Sequence, residues 1–587
     1  MSLSLSKELN TILQEAFKNA GYDEKYGVVT VSNRPDLCEY QCNGAMAAAK
    51  EYHCAPFVIA EKVVAELQKN PAFSEVSCVR PGFINLTVST AFFGQFAADM
   101  AASECFGAEK PAPKKIIIDY GGPNVAKPLH IGHLRTAIIG ESVKRILRFM
   151  GHEVTGDIHL GDWGLQFGLI IEELKDRKPN LPYFDPDFSG EYPEEAPFTL
   201  AELEEIYPAA SARSKEDPAF MERAHQATYR LQHDDPATLA LWKHIMALSV
   251  EDEKKIYDSL DVHFELWNGE STAAPYIGEV VETVKEKGIS RISDGALVVD
   301  VMEESDKREV PPCMILKSDG AALYQTTDLA TLLMRKNTID PDVVIYVTDK
   351  RQELHFTQVF RAAKKAGFIR PDTELIHIGY GTMNGKDGKP FKTRAGGVMR
   401  LEYLIAEIND AVREKMKERY EDEELNEDTV RMVGLSAIKY GDLSNQAAKD
   451  YNFDIDRFAS FEGNTGPYIL YTIVRIRSIL KKADFTGADK PDFSALSDAG
   501  SSCKQLLKAL SGFPDMIADA ASQLAPHRIC GFIYQLSDAF NSFYHDTPVL
   551  REEDANKKQA YLQLLALTER LLSCCIDLLG FSAPDKM

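Results

Sequence analysis

The sequence has no apolar run long enough to cross a bilayer, so no membrane helix and no membrane partner are expected. Its first residues, MSLSLSKELN, hold neither a basic head nor an apolar stretch, which argues against a secretion signal; a cytoplasmic, soluble protein is expected. Ten cysteines are scattered over 587 residues. That pattern excludes a disulfide framework and fits reduced thiols. Cys38, Cys42, His53 and Cys54 read C-x3-C-x10-H-C, but an adjacent His–Cys pair is a poor second half for structural zinc, and free thiols are the better reading. Positive charge is also in deficit, with a formal net charge of -23. Such a balance weighs against a nucleic-acid partner, because phosphate binding is largely electrostatic. Fields are screened over about 8 Å at physiological salt, however, so a local basic patch outweighs the total. Much of the acid is gathered in GEYPEEAPFTLAELEEIYP and KERYEDEELNED, which read as solvated surface.

The length exceeds what one hydrophobic core supports, and the 44% apolar content is that of a globular chain. No internal repeat is visible. Residues 1–108 mix helical spacing (LNTILQEAFKNAG, closed by Gly21) with strand-like alternation (GFINLTVS) and end in the linker-like FGAEKPAPKK. Residues 109–430 open with KIIID, a short continuous apolar run of the kind found in buried parallel strands. The turn GGPNVAKP follows, and then apolar residues at three- and four-residue steps from Leu134 to Met150, with Gly151 as the stop. HEVTGDIHL reads as the next strand, completing the start of a βαβ unit. An acidic, proline-rich and then helical insertion spans about 178–240. Strand-like runs return at GALVVDV, DVVIYVTD and ELIHIGYG, with the helical TTDLATLLMRK between two of them. Residues 431–587 are helical throughout. The expected fold is α/β multidomain: a doubly wound parallel core with an insertion, a mixed α+β N-terminal domain and an all-α C-terminal bundle.

The hand-over from strand to helix carries His130-Ile131-Gly132-His133. Open α/β sheets bind ligands at the carboxyl ends of their strands, and a helix start offers free N–H groups and a positive dipole to anions. The loop contains no G-x-G-x-x-G, and GKDGKPFKT lacks P-loop spacing. Histidines here can donate to phosphate oxygens, and Gly132 leaves room for a base or ribose. A metal is the alternative, but no carboxylate or cysteine stands nearby at a supporting spacing. A purely structural role is the other alternative.

These residues carry a resemblance. HIGH is the signature of class I aminoacyl-tRNA synthetases and related nucleotidyltransferases. The longer DYGGPNVAKPLHIGHLRTAIIG resembles the P-N-x-A-K-P-x-H-x-G-H-x-R pattern of the bacterial-type arginyl-tRNA synthetases. LGDWGLQFG, LYQTTDLA, YVTDKRQELHF, GKPFKTRAGG and NTGPYILYTIVRIRSIL resemble later blocks of that family in the same order. The resemblance implies a Rossmann-like catalytic domain and ATP-dependent activation of L-arginine. Transfer to the 2′-hydroxyl of the terminal adenosine of tRNA(Arg) follows, with ATP–Mg2+ as a substrate complex and no prosthetic group, resident metal or second subunit.

The resemblance also implies site residues. His130 and His133 would stabilise the reacting phosphate, and Gly132 would lie against ATP. The family's second signature, KMSKS, is replaced by FKTRA, with Arg394 at its second lysine; Lys127, just before HIGH, would do part of that lysine's work. Lys386, Lys389, Lys392, Arg394 and Arg400 face only Asp387 in sequence, and Gly385, Gly388, Gly396 and Gly397 would act as hinges; Lys389, Lys392 and Arg394 would meet the triphosphate. Tyr324 and Asp328, four apart, would hold the arginine guanidinium, with Gln352 beside it. Asp119, Gly122, Pro123, Asn124 and His133 would surround the amino-acid end. Gly121-Gly122 stands where the family has Ser-Ser or similar, which keeps backbone contacts and removes hydroxyl ones. Tyr468, Tyr471, Arg475 and Arg477 interleave aromatic and basic groups, as stacking on unpaired tRNA bases requires. The N-terminal domain would touch the outer corner of the tRNA.

Overall fold

The run KIIID is apolar on both faces and forms a strand buried on both faces. In the computed structural model, which describes residues 3–34, 36–385, 388–389, 399–419, 425–487 and 491–587, it sits inside a parallel sheet. Ahead of it, an antiparallel sheet in the order β1-β2-β4-β3 (Val29–Val31, Tyr40–Cys42, Phe83–Val88 and Phe73–Val79) packs with helices to form the mixed N-terminal part. The helix Leu5–Asn19 ends before Gly21, which takes φ +84°. All ten cysteines are free thiols.

The central sheet is ordered β11-β10-β5-β6, from Glu374–Tyr380, Val343–Asp349, Lys115–Asp119 and Glu153–Asp157, and every pairing is parallel. The chain leaves β5 for β6 on one side and returns to β10 on the other. The carboxyl ends of β5 and β10 therefore bound the crevice where such sheets take ligands. GALVVDV does not join this sheet. Its core, Ala296–Val299 (β8), lies in a separate antiparallel sheet with β7 (Ser290–Ser293) and β9 (Cys313–Leu316). A run of four apolar residues carries no signal that tells one sheet from another. The insertion is helical, with Leu200–Glu216, Pro218–Gln232 and Pro236–Ser259 packed against the helix Leu165–Arg177. Among the described residues from Glu427 on, the C-terminal part is built of helices and their connections, with one strand, Tyr451–Asn452, which pairs with Met383–Asn384.

The helix Ile131–Phe149 joins these parts and is buried along almost its whole length. Thr136 Oγ1 donates to the Val347 carbonyl of the sheet at 2.6 Å. Arg135 Nε donates to Asp442 Oδ2 at 2.8 Å, and Ser142 Oγ to the Leu578 carbonyl at 2.9 Å, both in the C-terminal bundle. Inside the sheet, Arg335 Nη2 donates to Asp119 Oδ2 (2.6 Å) and Asp157 Oδ2 (2.8 Å), and its Nη1 to Tyr346 Oη (3.1 Å). One buried guanidinium thus holds the carboxyl ends of two neighbouring strands. Arg335→Met leaves two buried carboxylates facing each other, and should lower stability by about 3–5 kcal/mol; equilibrium urea unfolding of the two proteins measures it.

Candidate active site

The turn after β5 has to reverse within a few residues, and Gly121 (φ +92°) and Gly122 (φ +24°) supply conformations that L side chains resist. Gly122 N–H donates to the Ile158 carbonyl (2.9 Å), Val125 N–H to that of Gly161 (3.1 Å), and Gly161 N–H to that of Pro123 (3.0 Å). The loop is thereby fastened to the segment leaving β6. Gly122 and Asn124 are exposed and Pro123 is buried.

His130 is the N-cap of the helix Ile131–Phe149. Its Nδ1 accepts from Gly132 N–H at 3.0 Å, and its own N–H donates to His133 Nδ1 at 3.1 Å. The two rings stack with centroids 3.9 Å apart. A Cβ on Gly132 would lie 2.8 Å from His130 Cε1, so only glycine lets the ring fold back over the helix start. Loss of water pushes His133 down to about 3, with His130 and Lys127 adding to it. Burial also lowers His130, with Lys127 again adding. Both rings are therefore neutral near pH 7. With each Nδ1 taken as an acceptor, the ring proton lies on Nε2, and each histidine presents an uncharged Nε2–H donor. Lys127 is half-buried, its ammonium 5.2 Å from the centre of the Tyr207 ring.

The backbone after the basic stretch pairs with this turn. Ile131 N–H donates to the Met399 carbonyl (3.1 Å) and Leu401 N–H to that of Leu129 (3.0 Å), which sets His130 opposite Arg400. At the near end, the Lys389 carbonyl accepts from Gly385 N–H at 2.8 Å. Lys386, Asp387, Lys392, Arg394, Gly396 and Gly397 lie outside the described residues. Among those described, no group of three or more His, Cys, Asp or Glu side chains could hold a metal.

The helix Tyr324–Thr338 begins at Tyr324, so Tyr324 and Asp328 do share one face. Tyr324 is exposed; Asp328 is half-buried and accepts from His355 Nε2 at 2.5 Å. Gln352 is exposed at the start of the helix Glu353–Ala366. Asp119 is buried and held by Arg335. Sequence reasoning missed Glu270. Asp162 of the GDWG stretch accepts from Ser271 N–H (2.8 Å) and Ser271 Oγ (2.5 Å), which seats the short helix Glu270–Ala273. Burial pushes the Glu270 carboxyl up, with Asp162 and Asp328 adding to it against His159. A second carboxyl, far away in sequence, thus lies within the field of Asp328, and no local spacing marked it.

In the C-terminal bundle, Tyr468 Oη accepts from Asn541 Nδ2 (2.8 Å), Arg475 Nη1 donates to Asn541 Oδ1 (3.2 Å), and the Arg475 guanidinium lies 4.9 Å from the centre of the Tyr544 ring. Tyr534 stands 6.0 Å from Tyr468. These groups form one aromatic and basic face, with Tyr471 half-buried on the same helix. Tyr534, Asn541 and Tyr544 were detectable from their shared helical face. Arg477 lies elsewhere: it pairs with Glu569 at 2.7 Å and reaches the Ala583 and Pro584 carbonyls of the C-terminal segment.

A parallel sheet whose first strand leads through a capped histidine pair into a buried helix matches, over residues 98–455, the model of "tRNA synthetases class I (R), catalytic domain". The molecule is a class I aminoacyl-tRNA synthetase. Residues 4–88 match the "Arginyl tRNA synthetase N terminal domain" and 469–587 the "DALR anticodon binding domain". The chain is 59% identical to the arginine–tRNA ligase of Agathobacter rectalis over 600 aligned residues, covering 99% of this chain and 100% of that protein. It is 54% identical to that of Alkaliphilus oremlandii over 585, with 99% and 100% covered. The crystal structure of Plasmodium falciparum arginyl-tRNA synthetase superposes with a TM-score of 0.78 at 26% identity, covering 100% of both chains. The chain belongs to the arginyl-tRNA synthetase family, and its activity is that of an arginine–tRNA ligase.

Gly132→Ala separates the two demands on this turn. Alanine favours the helix by about 1 kcal/mol, so the melting temperature should hold. The displaced His130 ring should lower arginine-dependent exchange of pyrophosphate into ATP by about 10²-fold.

Proposed function

We propose the following division of labour within this activity. Residues 109–430, with the insertion at about 178–240, form the adenylate. Residues 431–587 hold the anticodon end of tRNA(Arg), and 1–108 touch its outer corner. One chain carries every group invoked, which supports a monomer.

ATP enters with Mg2+ as a substrate complex, and the triphosphate lies across the start of the helix Ile131–Phe149. An arginine carboxylate oxygen attacks the α-phosphorus; the bond from that phosphorus to the bridging oxygen breaks, and pyrophosphate leaves with the electron pair. His130 and His133 donate their Nε2–H groups to phosphate oxygens as charge shifts on to them, and keep their protons throughout. Lys127 and Lys389, with Lys392 and Arg394 from the sequence, offset the negative charge of the triphosphate, and Gly132 serves ATP by leaving room for the His130 ring over the helix start. At the other end, Asp328, Tyr324 and Glu270 receive the guanidinium, with Gln352 at the rim. Gly122, Pro123, Asn124 and His133 border the α-amino and carboxylate groups. Asp119 acts at that end with Arg335 as its counter-ion. In the second step the 2′-hydroxyl of the terminal adenosine attacks the arginyl carbonyl, and AMP leaves. Tyr468, Tyr471 and Arg475 offer stacking and charge to unpaired bases, joined by Tyr534 and Tyr544; Arg477 would meet the tRNA only from the other side of that helix, where Glu569 holds it.

The observation that carries this reading is the pair of stacked imidazoles at a helix start, each accepting a backbone N–H at Nδ1, with Arg400 paired opposite His130. Arginine-dependent pyrophosphate exchange, run with and without tRNA, tests it. His130→Ala should lower kcat by about 10²–10³, while Asp328→Asn should raise the KM for arginine by about 30-fold or more. Wild-type kinetics in His130→Ala would remove the donor role.

A further inference from the structure

The insertion does more than fill space between β6 and β10. Its helix Leu200–Glu216 starts in a capping box between Thr199 and Glu202, and Lys178 Nζ holds Glu202 at 2.8 Å, so its first turn is fixed to the end of the helix Leu165–Arg177. Glu204 and Tyr207, three apart, then share one face of it. Tyr207 receives the Lys127 ammonium 5.2 Å from its ring centre. Glu204 accepts from Arg400 Nη1 at 3.1 and 3.2 Å through its two oxygens.

The two cations flank a single residue. Lys127 stands three residues before His130, and Arg400 lies opposite His130 in the backbone bridge. The field of the Lys127 ammonium, in the position the ring gives it, reaches both imidazoles. Asp252, from the helix Pro236–Ser259, adds a second acid near Arg400 and Glu204. Neither contact is deeply buried: Glu204 and Arg400 are 31% and 36% exposed. Exposed pairs of this kind do little for global stability, so their place beside the reacting centre is the feature to explain.

We propose that Glu204 and Tyr207 are positioning residues for adenylate formation: one helix of the insertion grips Lys127 and Arg400, the cations on either side of His130, and sets them for the triphosphate. This rests on the reading that Lys127 serves ATP, and the test separates the two. The readout is arginine-dependent pyrophosphate exchange by the full-length protein, with ATP and arginine varied independently and a urea midpoint for each variant. Tyr207→Leu should lower kcat/KM for ATP by about 2- to 30-fold, the span of a cation–π contact, with the KM for arginine and the urea midpoint held. Tyr207→Phe keeps the ring and should restore the rate. In a Lys127→Ala background, Tyr207→Leu should add nothing, because it acts through that lysine. Glu204→Gln should lower the same parameter, and in an Arg400→Ala background it should add nothing, because it acts through that arginine. If Lys127→Ala is slow but Tyr207→Leu matches wild type, or the two losses multiply, the grip is refuted and the lysine's role stands. If Lys127→Ala itself matches wild type, the role of the lysine falls and the proposal with it. An equal rise in the KM for arginine would mark general distortion and also refute the grip.

Discussion

A helix start leaves backbone N–H groups without partners, and in this protein an imidazole meets that need. His130 gives its Nδ1 to Gly132 N–H, and His133 gives its Nδ1 to His130 N–H. Because each ring has spent its acceptor on the backbone, what remains is an uncharged donor. Two imidazolium rings stacked at 3.9 Å would repel, so the geometry requires neutrality as much as it produces it. The glycine between them follows from the same constraint, since any Cβ there would strike the capping ring. The cap is only as well placed as its helix. Thr136 fixes that helix to the sheet, and Arg135 and Ser142 fix it to the C-terminal bundle.

Charge is divided along the cleft. The protein as a whole is strongly acidic, with a formal net charge of -23, yet it must bind a polyanion and a cation side by side. Near the capped turn the cations are Lys127 and Arg400, with Glu204 and Asp252 set against Arg400. Along the helix Tyr324–Thr338 the charged groups are Asp328 and, across from it, Glu270. Between the two ends, a single buried guanidinium, that of Arg335, bridges Asp119 and Asp157 inside the sheet and offsets part of their charge. Local placement, rather than the total, decides which ligand meets which field.

Much of this was legible before the fold was known, and the reasons are local. KIIID followed by a glycine turn and apolar residues at three- and four-residue steps forms β5 and the helix Ile131–Phe149, and the C-terminal stretches of helical periodicity form helices. Tyr324 and Asp328 were paired by their spacing and do share a face. What stayed hidden depends on contacts between distant segments. Glu270 comes within the field of Asp328 because Asp162 seats its helix, and nothing around Glu270 marks it. GALVVDV reads as a core strand but belongs to a small antiparallel sheet. Arg477 reads as a partner of Arg475, yet a step of two along a helix turns it to another side, where Glu569 holds it. Tyr207 and Glu204 sit in a stretch that reads as acidic surface, and only the packed helix shows them beside Lys127 and Arg400.

The central claim is that His130 and His133 are neutral donors through Nε2. Two-bond 1H–15N correlation spectra of histidine-labelled protein, assigned by single His→Gln variants and followed from pH 8 to pH 5, test it directly. The account predicts the Nε2–H tautomer for both rings, with His133 showing no protonation anywhere in that range. An Nδ1–H tautomer in either ring, or a His133 that titrates near its ordinary value of 6.5, would contradict it.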